Sequence, residues 1–121
     1  MTHPGILLMR ALALLPLPLL RALGSAIGNV LFVLAGKRRR IALTNLRLCF
    51  PEWNEALRRQ VARQSFVAFS QAFIDRSWVW HAPAEVVRRR VRLTGAVDEL
   101  RQPEAAVLFA PHFYGMDAGG A

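Results

Sequence analysis

Cysteine is nearly absent from this 121-residue chain, acidic residues are few, and no uncharged stretch is as long as an ordinary membrane span. The single cysteine, Cys49, excludes an internal disulfide and is compatible with a reducing compartment. One cysteine and three scattered histidines, His3, His81 and His112, offer no metal-ligand set. We therefore expect neither a metal nor a bound organic cofactor.

The shortage of acidic residues leaves a strongly basic chain, with 16 Lys and Arg against 8 Asp and Glu and a net charge of +8. All of the 16 except Arg10, Arg21 and Arg101 lie between Lys37 and Arg92. Such a balance suits nucleic acid, anionic lipid or an acidic protein. No helix-turn-helix, zinc or RNA-binding signature accompanies it, so nucleic acid is not expected as a partner.

Residues Ile6 to Gly36 are apolar but interrupted, at Arg10, Pro16, Pro18 and Arg21. The longest uncharged run is Ala22–Gly36, whereas a spanning helix needs about 20 residues. Arg21, Ser25, Gly28 and Asn29 share one helix face, and the opposite face is apolar. This pattern fits an interfacial helix or a short tilted anchor equally well, and Arg21 must reach an interface or face protein.

Val33-Leu34-Ala35 resembles a signal-peptide cleavage site, but Lys37-Arg38-Arg39-Arg40 follows directly. Basic clusters beside an apolar segment favour the cytoplasmic side, so we expect retention as an anchor rather than cleavage. The cluster can also contact anionic headgroups, or it can be a plain topogenic signal. We predict an anchor or interfacial helix over residues 1–36 and a cytoplasmic portion over residues 37–121.

The middle of the chain has helical periodicity. An amphipathic helix is predicted over Lys37–Phe50 and ends at Pro51, and Asn54 is placed to cap a long second helix. A short basic helix is predicted over Glu85–Arg90. The second helix carries an apolar stripe that is either an acyl-chain groove or, as we favour, a core face against the sheet: Ala62, Phe66, Phe69 and Phe73.

Strand patterns begin after this helical part. Val91–Thr94 alternates like a first strand, and Gly95 breaks it. Val107–Ala110 is a short apolar run bounded by Pro111, which predicts a strand buried on both faces, as in a parallel sheet. The fold class is therefore expected to be α/β, with helices followed by the start of a mixed or parallel sheet.

His112 directly follows the predicted buried strand and Pro111, at the sheet edge where ligands usually bind in open α/β folds. With Asp117 in the first turn of a following helix, its carboxylate can fix the tautomer of His112 and leave one ring nitrogen as a general base. Composition alone favours equally a structural interpretation, in which His112 caps the strand, Asp117 caps the helix and neither residue is catalytic. The strand before the pair and the glycines after it favour the catalytic interpretation.

The order of these parts, together with the block Asn45-Leu46-Arg47-Leu48-Cys49-Phe50-Pro51-Glu52, resembles the lipid A biosynthesis (lauroyl/myristoyl) acyltransferases of Gram-negative bacteria. That family is related to the glycerolipid acyltransferases. The resemblance covers essentially the whole chain but only about the first two-fifths of a full member. We therefore expect a truncated, amino-terminal fragment that is inactive alone.

The resemblance implies transfer of a fatty acyl group from acyl carrier protein to a hydroxyl of a lipid A precursor. It also implies a glycerolipid-acyltransferase-like fold at the inner membrane, with His112 as the base and Asp117 as its orienting acid. Two alternatives stay open. One is an acyltransferase acting on a lysophospholipid or another lipid, and the other is a non-catalytic membrane-binding module.

Overall fold

The structure, a computed structural model, describes residues 3–92 and the single residues Thr94, Gly95, Asp98, Ala105, Val107 and Tyr114. Within these residues the regular secondary structure is entirely helical. Five helices follow one another: α1 (Pro4–Ala13), α2 (Leu17–Leu34), α3 (Gly36–Cys49), α4 (Glu55–His81) and α5 (Ala84–Arg90).

Prolines and one asparagine set the ends of the later helices. α3 ends at Cys49, one residue before the position that Pro51 keeps out of the α region. Asn54 caps α4, because its side-chain oxygen accepts a 2.8 Å hydrogen bond from the backbone N–H of Leu57. Pro83 stands directly before α5. The three helices predicted for this part of the chain are therefore confirmed.

α4 is the central element, because it packs against each of the other four helices. It runs antiparallel to α2: Arg21 near the start of α2 bonds Asp75, and Asn29 further along α2 bonds Arg63. Sequence numbers thus rise along one helix as they fall along the other. The α2–α4 pair forms the framework on which α1, α3 and α5 are placed.

Small residues let α2 and α4 approach closely. The buried residues of α2 are spaced four apart, at Leu20, Gly24, Gly28 and Phe32. A Cβ on Gly24 would stand 2.9 Å from the Cα of Gln71, and one on Gly28 would stand 2.5 Å from the Cα of Val67. Such distances leave no room for a side chain, so the backbones themselves are in contact.

Beside this contact, three polar pairs link the two helices in what we call the polar ladder: Arg21–Asp75, Ser25–Gln71 and Asn29–Arg63. The Arg21 guanidinium lies 2.6 Å from the Asp75 carboxylate. The Gln71 amide donates to the Ser25 hydroxyl at 3.0 Å. Of the two positions that the sequence allowed for Arg21, a membrane interface or a protein contact, the structure shows the protein contact.

An apolar core lies where α1, α2 and α4 meet, formed by Ala13, Leu20, Ile74 and Trp78. Val87 of α5 and Val91 just beyond α5 pack against it and are partly buried. The Trp78 indole N–H donates to Asp75 at 3.0 Å. The buried indole is therefore satisfied, and the same bond helps to aim the carboxylate at Arg21.

The outward surfaces of α1 and α2 are apolar except for the exposed Arg10 of α1. Large side chains stand exposed along both helices, among them Leu8 (61% exposed) and Leu34 (75%), and Leu14, directly after α1, is 86% exposed. Among the described helices, α2 alone is long and apolar enough to cross a membrane by length and composition, with 18 residues and a mean hydropathy of 1.7.

The predicted sheet is not confirmed. Val91, Arg92 and Thr94 belong to no strand, although their alternation predicted the first one. Of the predicted buried strand, Val107 alone is described; it lies in no strand and is 99% exposed. Leu108 to Ala110 lie outside the described residues, so the α/β class stays a prediction beyond the helical part, as does the domain boundary at Gly36.

Candidate functional site

The predicted catalytic residues, His112 and Asp117, both lie outside the described residues, so their pairing stays a prediction. Tyr114, which stands between them in the sequence, is described. Its ring meets the ring of Phe69 on α4 edge to face, with 5.8 Å between centroids and 69° between planes. This arrangement is favourable for aromatic pairs. It identifies the part of α4 that contacts Tyr114.

The α4 surface at this point is aromatic and open. Phe69 is 50% exposed, Phe73 is 51% exposed and Trp80 is 59% exposed. Among the described helices, the phenylalanine stripe is a core face only at Ala62, which is buried, and at Phe66, which packs on Phe32 with 5.5 Å between ring centroids; Phe69 and Phe73 are left exposed.

The physical reason is the identity of the helix that packs on α4. α2 presents glycines and short polar side chains, and these fit the α4 face that carries Ser70, Gln71 and Ile74. One residue turns a helix by about 100°, so Phe69 and Phe73, each one position before Ser70 and Ile74, point away from that contact.

A positive charge lies among these aromatic rings. The Arg76 guanidinium stands 5.5 Å from the ring centroid of Phe73 and 5.7 Å from that of Trp80. Both distances are within the range of cation–π attraction. We call the surface formed by Phe69, Phe73, Arg76 and Trp80 the aromatic face. It combines apolar area with one cation, a chemistry suited to an amphipathic ligand.

The Asn45–Glu52 block builds the corner between α3 and α4. Arg47 binds the Glu55 carboxylate through two hydrogen bonds of 2.8 and 3.0 Å. Arg58 donates to the same carboxylate at 2.9 Å and to the backbone carbonyl oxygens of Phe50 and Pro51 at 3.1 and 2.7 Å. The bidentate pair and the two carbonyl contacts fix the angle between the helices.

The charges of this corner shift its titration. Hydrogen bonds from Arg47 and then Arg58 lower the pKa of Glu55 to about 2, and the same carboxylate raises the pKa of Arg47. Because folding lowers the pKa of Glu55, the ionised pair stabilises the fold above pH 4.5, the ordinary pKa of this group, and that contribution is lost as the pH falls toward 2.

We expect Arg47→Ala to raise the pKa of Glu55 toward its ordinary value, because the first cause of the shift is removed. The change is measured by following the side-chain carboxyl carbon of Glu55 by NMR during an acid titration. Arg59→Ala, at an exposed neighbour of Arg58, serves as the control and should leave the titration unchanged. A wild-type midpoint near 4.5 would contradict the corner geometry.

A second basic group lies at the carboxyl end of α2. Arg39 donates to the backbone carbonyl oxygens of Phe32 and Val33 at 2.8 and 3.2 Å, where the helix dipole favours a cation. Next to it, a surface groove of about 380 Å³ is lined by Gly36, Arg39, Arg40, Leu43 and Arg47. Of its three arginines, Arg39 is bonded to the end of α2 and Arg47 is paired with Glu55.

The comparison with protein families decides what these parts belong to. Residues 1–121 match the family described as bacterial lipid A biosynthesis acyltransferase. This chain belongs to that family. The resemblance suggested by the Asn45–Glu52 block is thereby confirmed, and the block is the element that shapes the α3–α4 corner of this lipid A acyltransferase family member.

Several curated relatives of this lipid A acyltransferase family member are named for the acyl group that they transfer. The palmitoleoyltransferase of Escherichia coli K12 is 29% identical over 110 residues, covering 88% of this chain and 36% of the relative. The lauroyltransferase of the same strain is 26% identical over 122 residues, covering 98% and 40%. The myristoyltransferase is 32% identical over 120 residues, covering 93% and 36%.

The chain thus spans 36 to 40% of the length of these relatives. No solved structure matches it.

Sequence reasoning missed Tyr114, Arg76 and the Arg47–Glu55–Arg58 cluster. Opposite charges eight residues apart across a proline turn were the signal for the cluster, but only the turn geometry brings Arg47 and Glu55 together.

Proposed function

We propose that this family member transfers a fatty acyl group from acyl carrier protein to a hydroxyl of a lipid A precursor on the cytoplasmic face of the inner membrane. The observation that carries the proposal is the family match over residues 1–121. The relatives are named for transfer of palmitoleoyl, lauroyl and myristoyl groups, which supports a fatty acyl substrate. We further propose that residues 1–121 alone are inactive.

In the proposed reaction, His112 takes the proton from the acceptor hydroxyl, and the oxygen attacks the thioester carbonyl carbon. Asp117 orients the imidazole and stabilises the imidazolium. The tetrahedral intermediate collapses to an ester, the carbon–sulfur bond breaks, and the proton passes from His112 to the carrier thiolate. The reaction needs neither a metal nor an oxidant, since proton and acyl group are only exchanged between the two substrates.

The aromatic face supports a place for the acyl chain. Phe69 and Phe73 offer half-exposed apolar surface, and Phe69 contacts Tyr114, two residues after His112 in the sequence. A fatty acyl chain covers apolar surface at about 25 cal/mol per Å², so binding it here is favourable. The interpretation of the stripe as an acyl-chain surface is thus supported at Phe69 and Phe73, which the described helices leave exposed.

The membrane location is supported by the order of charges along the chain. The apolar α2 is followed at once by Lys37 to Arg40, and basic residues beside an apolar helix favour the cytoplasmic side. The predicted catalytic segment comes later in the chain, after the basic cluster. A lipid acceptor that enters from the bilayer would therefore meet it on the cytoplasmic side.

The proposal is tested by assaying the complete gene product in membranes with an acyl-loaded carrier protein and a lipid A precursor that lacks the secondary acyl chain. We expect acyl ester formation on the precursor and none with residues 1–121 alone. A lysophospholipid is offered in parallel as a competing acceptor. Exclusive acylation of the lysophospholipid would overturn the assignment of the acceptor while leaving the reaction class in place.

A second candidate function, a non-catalytic membrane-binding module, is favoured by one observation. The described residues provide an apolar surface on α1 and α2 and a basic cluster at the end of α2, both of which serve membrane contact. The same assay separates the two functions. Tight membrane binding by the complete gene product without acyl transfer to either acceptor would establish the module.

A further inference from the structure

The exposed side of α2 contains no polar or charged residue. Its exposed positions are all apolar: Pro18, Leu19, Ala22, Leu23, Ala26, Ile27, Val30, Leu31, Val33 and Leu34. α1 adds exposed Ile6, Leu7 and Leu8 to this surface, and it also carries one exposed charge, Arg10. We call the two together the apolar surface. A large exposed apolar area on a protein exterior marks a contact with lipid or with another protein.

The opposite side of α2 is held by α4. The polar ladder bonds α2 from Arg21 to Asn29, and the glycine contacts bring the two backbones together between them. If α2 crossed a bilayer with these contacts intact, α4 would enter the bilayer alongside it. α4 carries exposed Arg59 and Arg63 on the half that is bonded to Asn29, and charged side chains inside a bilayer are costly.

Basic residues lie at both ends of α2, although they come from distant parts of the chain. Lys37 to Arg40 follow its carboxyl end. At its amino end, Arg90 of α5 donates to the backbone carbonyl oxygen of Leu15 at 3.2 Å, and Arg88 and Arg89 of the same helix are exposed. The two groups are separated by the length of α2, about 27 Å for 18 residues.

These two basic groups distinguish between an α2 that spans the membrane and an α2 that lies parallel to the membrane plane. In a spanning orientation one group would lie on each side of the membrane, against the tendency of basic residues to stay cytoplasmic. In an orientation parallel to the membrane plane, both groups reach the anionic headgroups of one leaflet. The apolar surface then faces the acyl chains, and α4 stays on the aqueous side.

We propose that α1 and α2 lie in the plane of the cytoplasmic leaflet and do not cross the bilayer, with the basic residues of α3 and α5 bound to anionic headgroups at the two ends of α2. This inference rests on the proposed membrane location and not on the catalytic roles of His112 and Asp117. Its tests measure topology and lipid binding, so they are independent of whether the protein transfers acyl groups.

Topology is tested with single cysteines in a Cys49→Ser background, since Cys49 is exposed and would react. His3→Cys, Lys37→Cys and Arg88→Cys place an exposed thiol before α1, after α2 and on α5. The complete gene product is treated with a membrane-impermeant maleimide in sealed vesicles of both orientations. We expect all three thiols to react only from the cytoplasmic side.

Two results of the labelling would overturn the inference. One is reaction of His3→Cys or Arg88→Cys only from the side opposite to Lys37→Cys, which means that α2 crosses. The other is recovery of the protein in the soluble fraction, which removes the membrane contact altogether. Acyl transfer by a spanning protein would leave the proposed function intact while this inference fails.

Depth is tested with nitroxide labels at Leu19→Cys, Ile27→Cys and Val33→Cys on the apolar surface, and at Arg59→Cys on α4 as an aqueous control. Accessibility to oxygen and to a water-soluble nickel complex reports the depth. We expect equal, shallow depths at the three α2 positions and aqueous values at position 59. A maximum depth at position 27 with shallow ends would show a spanning helix and overturn the inference.

Headgroup binding is tested with matched charge removals that avoid the structural arginines Arg39 and Arg90. Arg38→Gln/Arg40→Gln removes two exposed charges at one end of α2, and Arg88→Gln/Arg89→Gln removes two at the other. On phosphatidylglycerol vesicles we expect each pair to weaken binding by roughly fivefold per charge, and on phosphatidylcholine vesicles hardly at all. Unchanged phosphatidylglycerol binding for the α5 pair would overturn the placement of α5 at the headgroups.

Discussion

Replacing His112 by alanine in the complete gene product is expected to lower acyl transfer by about 10²–10⁴-fold, the usual contribution of a positioned general base. Asp117→Asn should also be severe, because an amide cannot stabilise the imidazolium and can hold the wrong tautomer. The double substitution should cost little more than the worse single one, since residues that act as a unit are not additive. Initial rates with saturating acyl donor measure all three.

His81→Ala is the control for this series. His81 is the last residue of α4, and no acidic residue follows it at the spacing of His112 and Asp117, so most of the activity should remain. Circular dichroism of each variant checks that the helices are intact. A correctly folded His112→Ala protein that transfers acyl groups at nearly the wild-type rate would show that the histidine has a structural role.

Gly28→Leu is expected to separate α2 from α4 and to destabilise the fold by about 3 kcal/mol, the upper part of the usual range for overpacking. A Cβ at this position would lie 2.5 Å from the Cα of Val67 and 2.8 Å from the backbone oxygen of Phe66. Backbone atoms cannot rotate away as a side chain can. The helices must therefore move apart, which also stretches the polar ladder.

Thermal unfolding in lipid vesicles, followed by circular dichroism, measures the effect. Gly36→Ala is the matched control, because a Cβ on Gly36 meets no atom within 4 Å. That variant should be neutral or slightly more stable, since alanine favours a helix over glycine. If Gly28→Leu and Gly36→Ala unfolded at the same temperature, the close approach of α2 and α4 would be disproved.

The ends of the helices could be predicted from the sequence, because the residues that set them act on their immediate neighbours. Pro51 and Asn54 act within a few residues of themselves, so the end of α3 and the start of α4 were predictable. The buried face of α4 was not. The stripe through Phe69 and Phe73 has the right period, but the period does not say which partner packs on the helix, and α2 selects the neighbouring face.

In the candidate site, too, the local features could be predicted from the sequence and the long-range contacts could not. The His112–Asp117 pair was inferred from its position after a predicted strand, and it stays a prediction because both residues lie outside the described part of the chain. The aromatic face lies wholly on α4, but its contact with Tyr114 joins residues 45 positions apart, and no local pattern encodes that contact. Arg21 was recognised as a costly charge, but its partner Asp75 lies 54 residues later.

That separation has a consequence for the order of events during synthesis. Arg21 leaves the ribosome 54 residues before Asp75, which corresponds to roughly 3–10 s at ordinary translation rates. During this interval the apolar α2 is complete while Arg21, Ser25 and Asn29 still lack α4. In the proposed membrane location, the helix would first meet the membrane with its polar edge hydrated, and the helix pair would close only after most of α4 has emerged.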